Sequence, residues 1–179
     1  MRKTYVRDGA YIALSAAVIA VCSWISIPTA VPFTMQTFAV FVTSGLLGAK
    51  RGMIALAVYL LLGAIGLPVF SSGTAGVGVL TGPTGGYLLG FFPTALIVGC
   101  ARGKFGLLPW KLAAAMAAGL LVCYAFGTAF FVLVYTRTRG AITFGAALSM
   151  CVLPFLIPDA AKIALAVPVV IRLSRALKY

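Results

Sequence analysis

Long apolar runs, cut at intervals by prolines, glycines and small basic clusters, constrain this chain more than any other feature in it. A membrane-spanning helix takes about 20 apolar residues, and the sequence divides into six such stretches, near 10–27, 33–49, 52–67, 85–101, 109–135 and 149–171. The third is the weakest, because Gly63 and Gly66 lower helix propensity towards its end and Pro68 stops it. With 63% of residues hydrophobic and 9% charged, and a mean hydropathy of +1.13, there is too little polar surface to clothe a water-soluble domain of this size. The expected fold is an all-α integral membrane protein: a single membrane domain over residues 1–179 with six transmembrane helices. The apolar run that follows residue 8 has the length of a full span and no convincing cleavage site, so it reads as a retained helix.

A net charge of +12 would point to nucleic acid in a soluble protein. Here the bases fall in short clusters between apolar runs, a pattern that encodes topology, and no nucleic-acid partner is expected. With six spans, one side collects Arg2, Lys3, Arg7, Lys50, Arg51, Arg102, Lys104, Lys111, Arg172, Arg175 and Lys178, and the other only Arg137 and Arg139. The positive-inside rule then puts both termini in the cytoplasm. The opposite side carries a turn at 28–32, the loop holding Arg137 and Arg139, and the long uncharged segment PVFSSGTAGVGVLTGPT at 68–84. Irregular backbone of this kind survives at membrane depth only where protein buries it or a cavity hydrates it. The segment is either an ordinary loop or a lid over a site.

Only two acids are present, Asp8 near the surface and Asp159 deep in the last apolar run, three residues before Lys162 and on the same helical face. An ion at the bilayer centre costs about 2.5–3.5 kcal/mol on insertion scales. The two groups therefore form either a self-neutralising structural pair or the polar floor of a ligand site. Pro154 and Pro158 disrupt the first half of the run, and Pro158 suits the opening turn of a new helix. Asp159 would then sit where free amides and the macrodipole favour an anion, in the kind of broken helix that transporters use for their ligands. A carboxylate only accepts and an ammonium only donates, so a fitting solute presents N–H donors together with a carbonyl or carboxylate. Thr34, Gln36 and Tyr87 would add neutral hydrogen bonds, and Phe33, Phe70 and Trp24 aromatic walls.

Other chemistry finds little support. There is no histidine, and Cys22, Cys100, Cys123 and Cys151 lack metal-ligand spacing, so no metal or cofactor is expected. GTAGVG at 73–78 has the wrong spacing for a dinucleotide fingerprint, and the stretch from Gly99 to Lys104 falls short of a Walker A loop, with Phe105 where a serine or threonine would hold magnesium. With one aspartate, one lysine and no nucleophile beside a base, the chain does not read as an enzyme. In the first helix, ALSAAVIA at 13–20 sets Ala13 and Ala17, and likewise Ala16 and Ala20, four residues apart. Such small-residue stripes let helices approach closely, whether within the molecule or against a separate membrane subunit.

Three blocks, VPFTMQTFAVF (31–41), LLGAIGLPVFSSGTAGVGVLTGPTGGYLLGF (61–91) and PDAAK (158–162), resemble the BioY family, the biotin-specific substrate-binding S components of energy-coupling factor (ECF) vitamin transporters. The resemblance implies a six-helix S-component fold in the bacterial plasma membrane, with high-affinity capture of biotin from outside. It also implies delivery through a transmembrane coupling subunit and a cytoplasmic ATPase pair, with the S component toppling in the membrane lipid to release its solute. Asp159 and Lys162 match the acid and lysine of the family's last helix, associated with the biotin pocket, and Gly82 and Thr84 belong to the matching GPTGGY stretch. Ala13 and Ala17, with Ala16 and Ala20 beside them, match the small-residue pattern turned towards the coupling subunit. The SSGTAG stretch departs from a family loop that carries more glycines. The alternatives are an S component for thiamine or riboflavin, or a solitary biotin facilitator.

Overall fold

The computed structural model describes residues 2–28 and 31–177, with only the backbone for residues 2–4. Lys178, the side chains of Arg2 and Lys3, and residues 29 and 30 of the turn at 28–32 lie outside the described residues. Helix α1 (Arg2–Trp24) leads through strands β1 (Ser26–Ile27) and β2 (Phe33–Thr34) into α2 (Gln36–Ala64). Then follow the short α3 (Val77–Thr81), α4 (Gly85–Phe105), α5 (Pro109–Arg139), α6 (Phe144–Cys151) and α7 (Leu156–Ala176), with 3-10 turns at Ser71–Gly73 and Leu153–Phe155. Among the described residues, five segments are long and apolar enough to cross a membrane: Tyr5–Trp24, Gln36–Ala64, Gly85–Phe105, Pro109–Arg139 and Phe144–Ala176.

The second of these is not a straight rod. Gly48 has φ 76° and ψ 178°, a conformation that favours glycine and ends a helical path. Beyond it the chain folds back, since Gln36 Nε2 lies 3.0 Å from the Tyr59 hydroxyl, whereas an unbroken helix would hold those residues about 34 Å apart. The stretches expected over 33–49 and 52–67 are thus the two antiparallel arms of α2. Lys50, which is exposed, and Arg51, which pairs with Asp8, follow the bend. Helix α4 crosses close by, and Gly99 makes this possible, because a Cβ there would overlap the backbone of Ala49.

Several boundaries differ from expectation. Phe33 and Thr34 are strand rather than helix, in an antiparallel bridge that pairs Ser26 with Thr34 and Ile27 with Phe33. Pro28 restricts Ile27 to extended backbone, and Phe33 and Thr34 pair with that extended stretch. The segment 68–84 is not wholly irregular, since Val77–Thr81 is helical. The last run begins earlier, at α6, and is interrupted by the turn holding Pro154 before α7 resumes. Helix α5 continues to Arg139, so Arg137 and Arg139 occupy its last turn, where the macrodipole favours cations.

Helix α4 packs against both α2 and α5, α1 covers α2, and α7 lies against α2 and α5. Lipid supplies no hydrophobic force between helices, so close backbone approach and interhelical hydrogen bonds must hold them. The Thr94 hydroxyl, donating across to the Gly119 carbonyl at 2.8 Å, is one such bond.

Candidate functional site

Two prolines set the site up. Pro154 shapes the 3-10 turn, and Pro158 occupies the first turn of α7, where its missing N–H leaves no helical bond unmade. Asp159 follows directly, and Lys162 one turn on, with 3% and 4% of their surfaces exposed. Lys162 Nζ donates to Asp159 Oδ1 at 2.6 Å and to the Thr34 carbonyl of β2, also at 2.6 Å. Its remaining side rests 4.1 Å from the centroid of the Phe33 ring. The Tyr124 hydroxyl of α5 donates to the other carboxylate oxygen, Oδ2. The pair is thus self-neutralising, with one neutral hydrogen-bond partner on each member. A carboxylate has about four lone-pair positions and an ammonium three N–H bonds, so Asp159 keeps spare accepting capacity while Lys162 has little left to donate.

The pair faces a cavity holding about 680 Å³ of space outside the protein atoms, open mouth included. Thr34, Gln36, Phe70, Thr84 and Tyr87 line it together with Asp159 and Lys162. Gln36 Nε2 donates to the Tyr59 hydroxyl, and Tyr87 and Thr128 share a hydroxyl–hydroxyl bond of 2.9 Å. Phe33 backs the ammonium and stacks on Phe155, with centroids 6.2 Å apart. Gly82 caps the end of α3 and is not among the lining residues.

One wall comes from the 68–84 segment. Phe70 is buried edge-on against Tyr59, 5.6 Å between centroids, in a slot that exists because a Cβ at Gly63 would overlap its ring. The segment is stapled to the end of α1, where the Ser23 hydroxyl donates to the Val69 carbonyl at 2.5 Å and Trp24 Nε1 to the Pro68 carbonyl at 2.8 Å. This corrects the expectation for Trp24, which is exposed, lies outside the cavity and holds the loop from without. On α1, Ala16 is buried and Ala20 packs against the core, whereas Ala13 and Ala17 are exposed. Only the latter two are open to an outside helix.

Sequence reasoning missed Tyr124, the Thr34 carbonyl, and the lining residues Ser71, Phe91, Cys123, Cys151 and Phe155. For Tyr124 there was a usable signal, since a tyrosine hydroxyl inside an apolar span needs a partner. A main-chain carbonyl leaves no such mark.

Known proteins resemble this chain in sequence and in fold. The BioY family profile matches residues 1–179. A biotin transporter BioY of Thermotoga maritima is 42% identical over 160 residues, spanning 89% of this chain and 90% of that protein. A probable biotin transporter BioY of Pyrococcus horikoshii is 34% identical over 169 residues, 94% of this chain and 96% of the other. Among solved structures, the S-component for biotin from an ECF-type ABC transporter, at 2.1 Å, aligns with a TM-score of 0.87 over 98% of this chain and 94% of that one, at 26% identity.

Proposed function

This chain belongs to the BioY family, and from that premise we propose that it is a biotin-binding S component of an energy-coupling factor transporter in the plasma membrane. It takes biotin from outside and delivers it to the cytoplasm with a coupling subunit and an ATPase pair. Biotin offers two ureido N–H donors beside a carbonyl, then a thiophane ring, an apolar chain and a carboxylate. The observation that carries the reading is the carboxylate of Asp159, buried on the cavity wall with accepting capacity unspent. It accepts from the ureido N–H groups, while Lys162 turns from the Thr34 carbonyl to biotin's carbonyl or tail carboxylate. Gln36, Thr84 and Tyr87 add polar contacts and Phe70 an apolar one, while Phe33, which is not among the lining residues, backs the ammonium of Lys162. The rest of the site is apolar enough to take the ring and chain.

The two arms of α2 serve as second and third spans, giving six with both termini cytoplasmic. The ion pair of Asp8 with Arg51 supports this, since it ties the start of α1 to the basic bend of α2. The close approach of Gly99 to the same bend brings in the basic end of α4. The exposed face of α1 at Ala13 and Ala17 receives the coupling subunit.

Calorimetric titration with biotin, thiamine and riboflavin tests the assignment. Biotin alone should bind, and Asp159→Ala should abolish binding while the protein still elutes as a single species in detergent. Unchanged biotin affinity in that variant refutes the site. Copurification of an ATPase pair separates an S component from a solitary facilitator.

A further inference from the structure

The turn joining α4 to α5 lies away from the cavity and carries chemistry of its own. Gly106, at φ 65°, reverses the chain there, so the end of one helix and the start of the next present side chains to a common place. Lys111 Nζ lies 4.4 Å from the centroid of Phe105 and 5.3 Å from that of Trp110, and Lys104 Nζ lies 5.5 Å from Phe105. Two ammonium groups thus lie within 5.5 Å of the centroid of one ring. The two rings and Leu108 between them are not core. Trp110 is 67% exposed, and Phe105 and Leu108 are exposed beside it.

Neither aspartate of this chain answers those charges. Its two acids are engaged elsewhere, Asp8 with Arg51 and Asp159 with Lys162. A ring face attracts an ammonium but leaves its net charge in place. What remains is a small surface with cations above and exposed aromatic and aliphatic groups alongside. That is the profile of the headgroup region, where aromatic side chains settle at the interface and lysines meet anionic lipid. We propose that this turn is a binding site for an anionic phospholipid, with Lys104 and Lys111 on the phosphate and Phe105, Leu108 and Trp110 along the upper acyl chains. The inference requires only that the turn meet a membrane interface, on whichever side, and is independent of the ligand held at Asp159.

The molecule supplies its own reporter, because Trp24 and Trp110 are its two tryptophans. A Trp24→Phe protein, reconstituted in nanodiscs of phosphatidylcholine with a minority of phosphatidylglycerol, leaves Trp110 as the sole tryptophan. Bromine is placed on the acyl chains of one lipid at a time, at equal mole fraction. Brominated phosphatidylglycerol should quench Trp110 well beyond its share, reflecting enrichment on the order of fivefold for each engaged lysine at low ionic strength. The preference should shrink as salt is raised. It should vanish in K104Q/K111Q and return in K104R/K111R, which keeps the charge. Quenching in proportion to mole fraction overturns the proposal, as it would if the turn were reserved for a protein partner. A preference that persists in K104Q/K111Q overturns it equally.

Discussion

The two acids of this protein each meet a base at a similar distance, 2.8 Å for Asp8 with Arg51 and 2.6 Å for Asp159 with Lys162. Their surroundings separate them. Asp8 and Arg51 keep 22% and 34% of their side-chain surface exposed, whereas Asp159 and Lys162 keep 5% each. A pair near the surface contributes about 0–1 kcal/mol. A buried pair must offset a desolvation cost of several kcal/mol per ion, and does so only with further hydrogen bonds. Tyr124 and the Thr34 carbonyl provide these at the inner pair, while Asp8 Oδ1 has no hydrogen-bond partner at the outer one. The lesson is that burial recruits neutral groups from other elements. The inner pair binds α5, α7 and β2 into one site, and the outer pair merely fastens α1 to α2.

Substitutions should widen or erase that contrast. The largest effect is expected from Asp159→Leu, which strands a buried ammonium and should cost about 3–5 kcal/mol of stability. Adding Lys162→Met should recover part of the loss in thermal denaturation, while neither protein binds biotin. A double variant as unstable as the single one would mean that the charges are not coupled. Next, Tyr124→Phe removes a hydrogen bond to a charged group, worth about 1.5–3 kcal/mol. Biotin affinity measured by calorimetry should fall by about tenfold or more, and an unaltered value would mean the hydroxyl does not position the carboxylate. Gly63→Ala should displace Phe70 from its slot at an overpacking cost of about 1–3 kcal/mol. Faster biotin dissociation and easier proteolysis within 68–84 would register this, and no change in either would show the wall is not held by that slot. Smallest is Arg51→Ala, expected to alter stability by about 0–1 kcal/mol and biotin affinity not at all. A loss of affinity there would tie the outer pair to the site.

Much of the site was legible because its rules are local. A spacing of three puts Asp159 and Lys162 on one face of any helix, and Pro158 marks where that helix opens. Thr34, Gln36 and Tyr87 are expected as neutral hydrogen-bonding groups, Phe70 as an aromatic wall and Thr84 from the GPTGGY stretch, and all reach the cavity. Trp24, expected as an aromatic wall, lies outside, because an indole N–H is equally well satisfied by the Pro68 carbonyl. Tyr124 and Tyr135 both place a hydroxyl on α5, and only the packing of α7 decides that Tyr124 meets Asp159 while Tyr135 stacks on Phe131. The alanines of α1 show the same limit. Four at helical spacing are visible in the string, but which two turn inward depends on how the helix is rotated against its neighbours.

Residence in the membrane, the interruption at Pro154, and the placing of Asp159 and Lys162 on one helical face are properties of composition and of neighbours a few residues apart. They hold however the helices are arranged. The hydroxyl of Tyr124 on Asp159 and the Thr34 carbonyl on Lys162 join positions 35 and 128 residues apart, and the burial of Phe70 depends on the space left by Gly63. Such contacts turn on the rotation and close approach of whole helices, which short-range preference leaves free and packing settles.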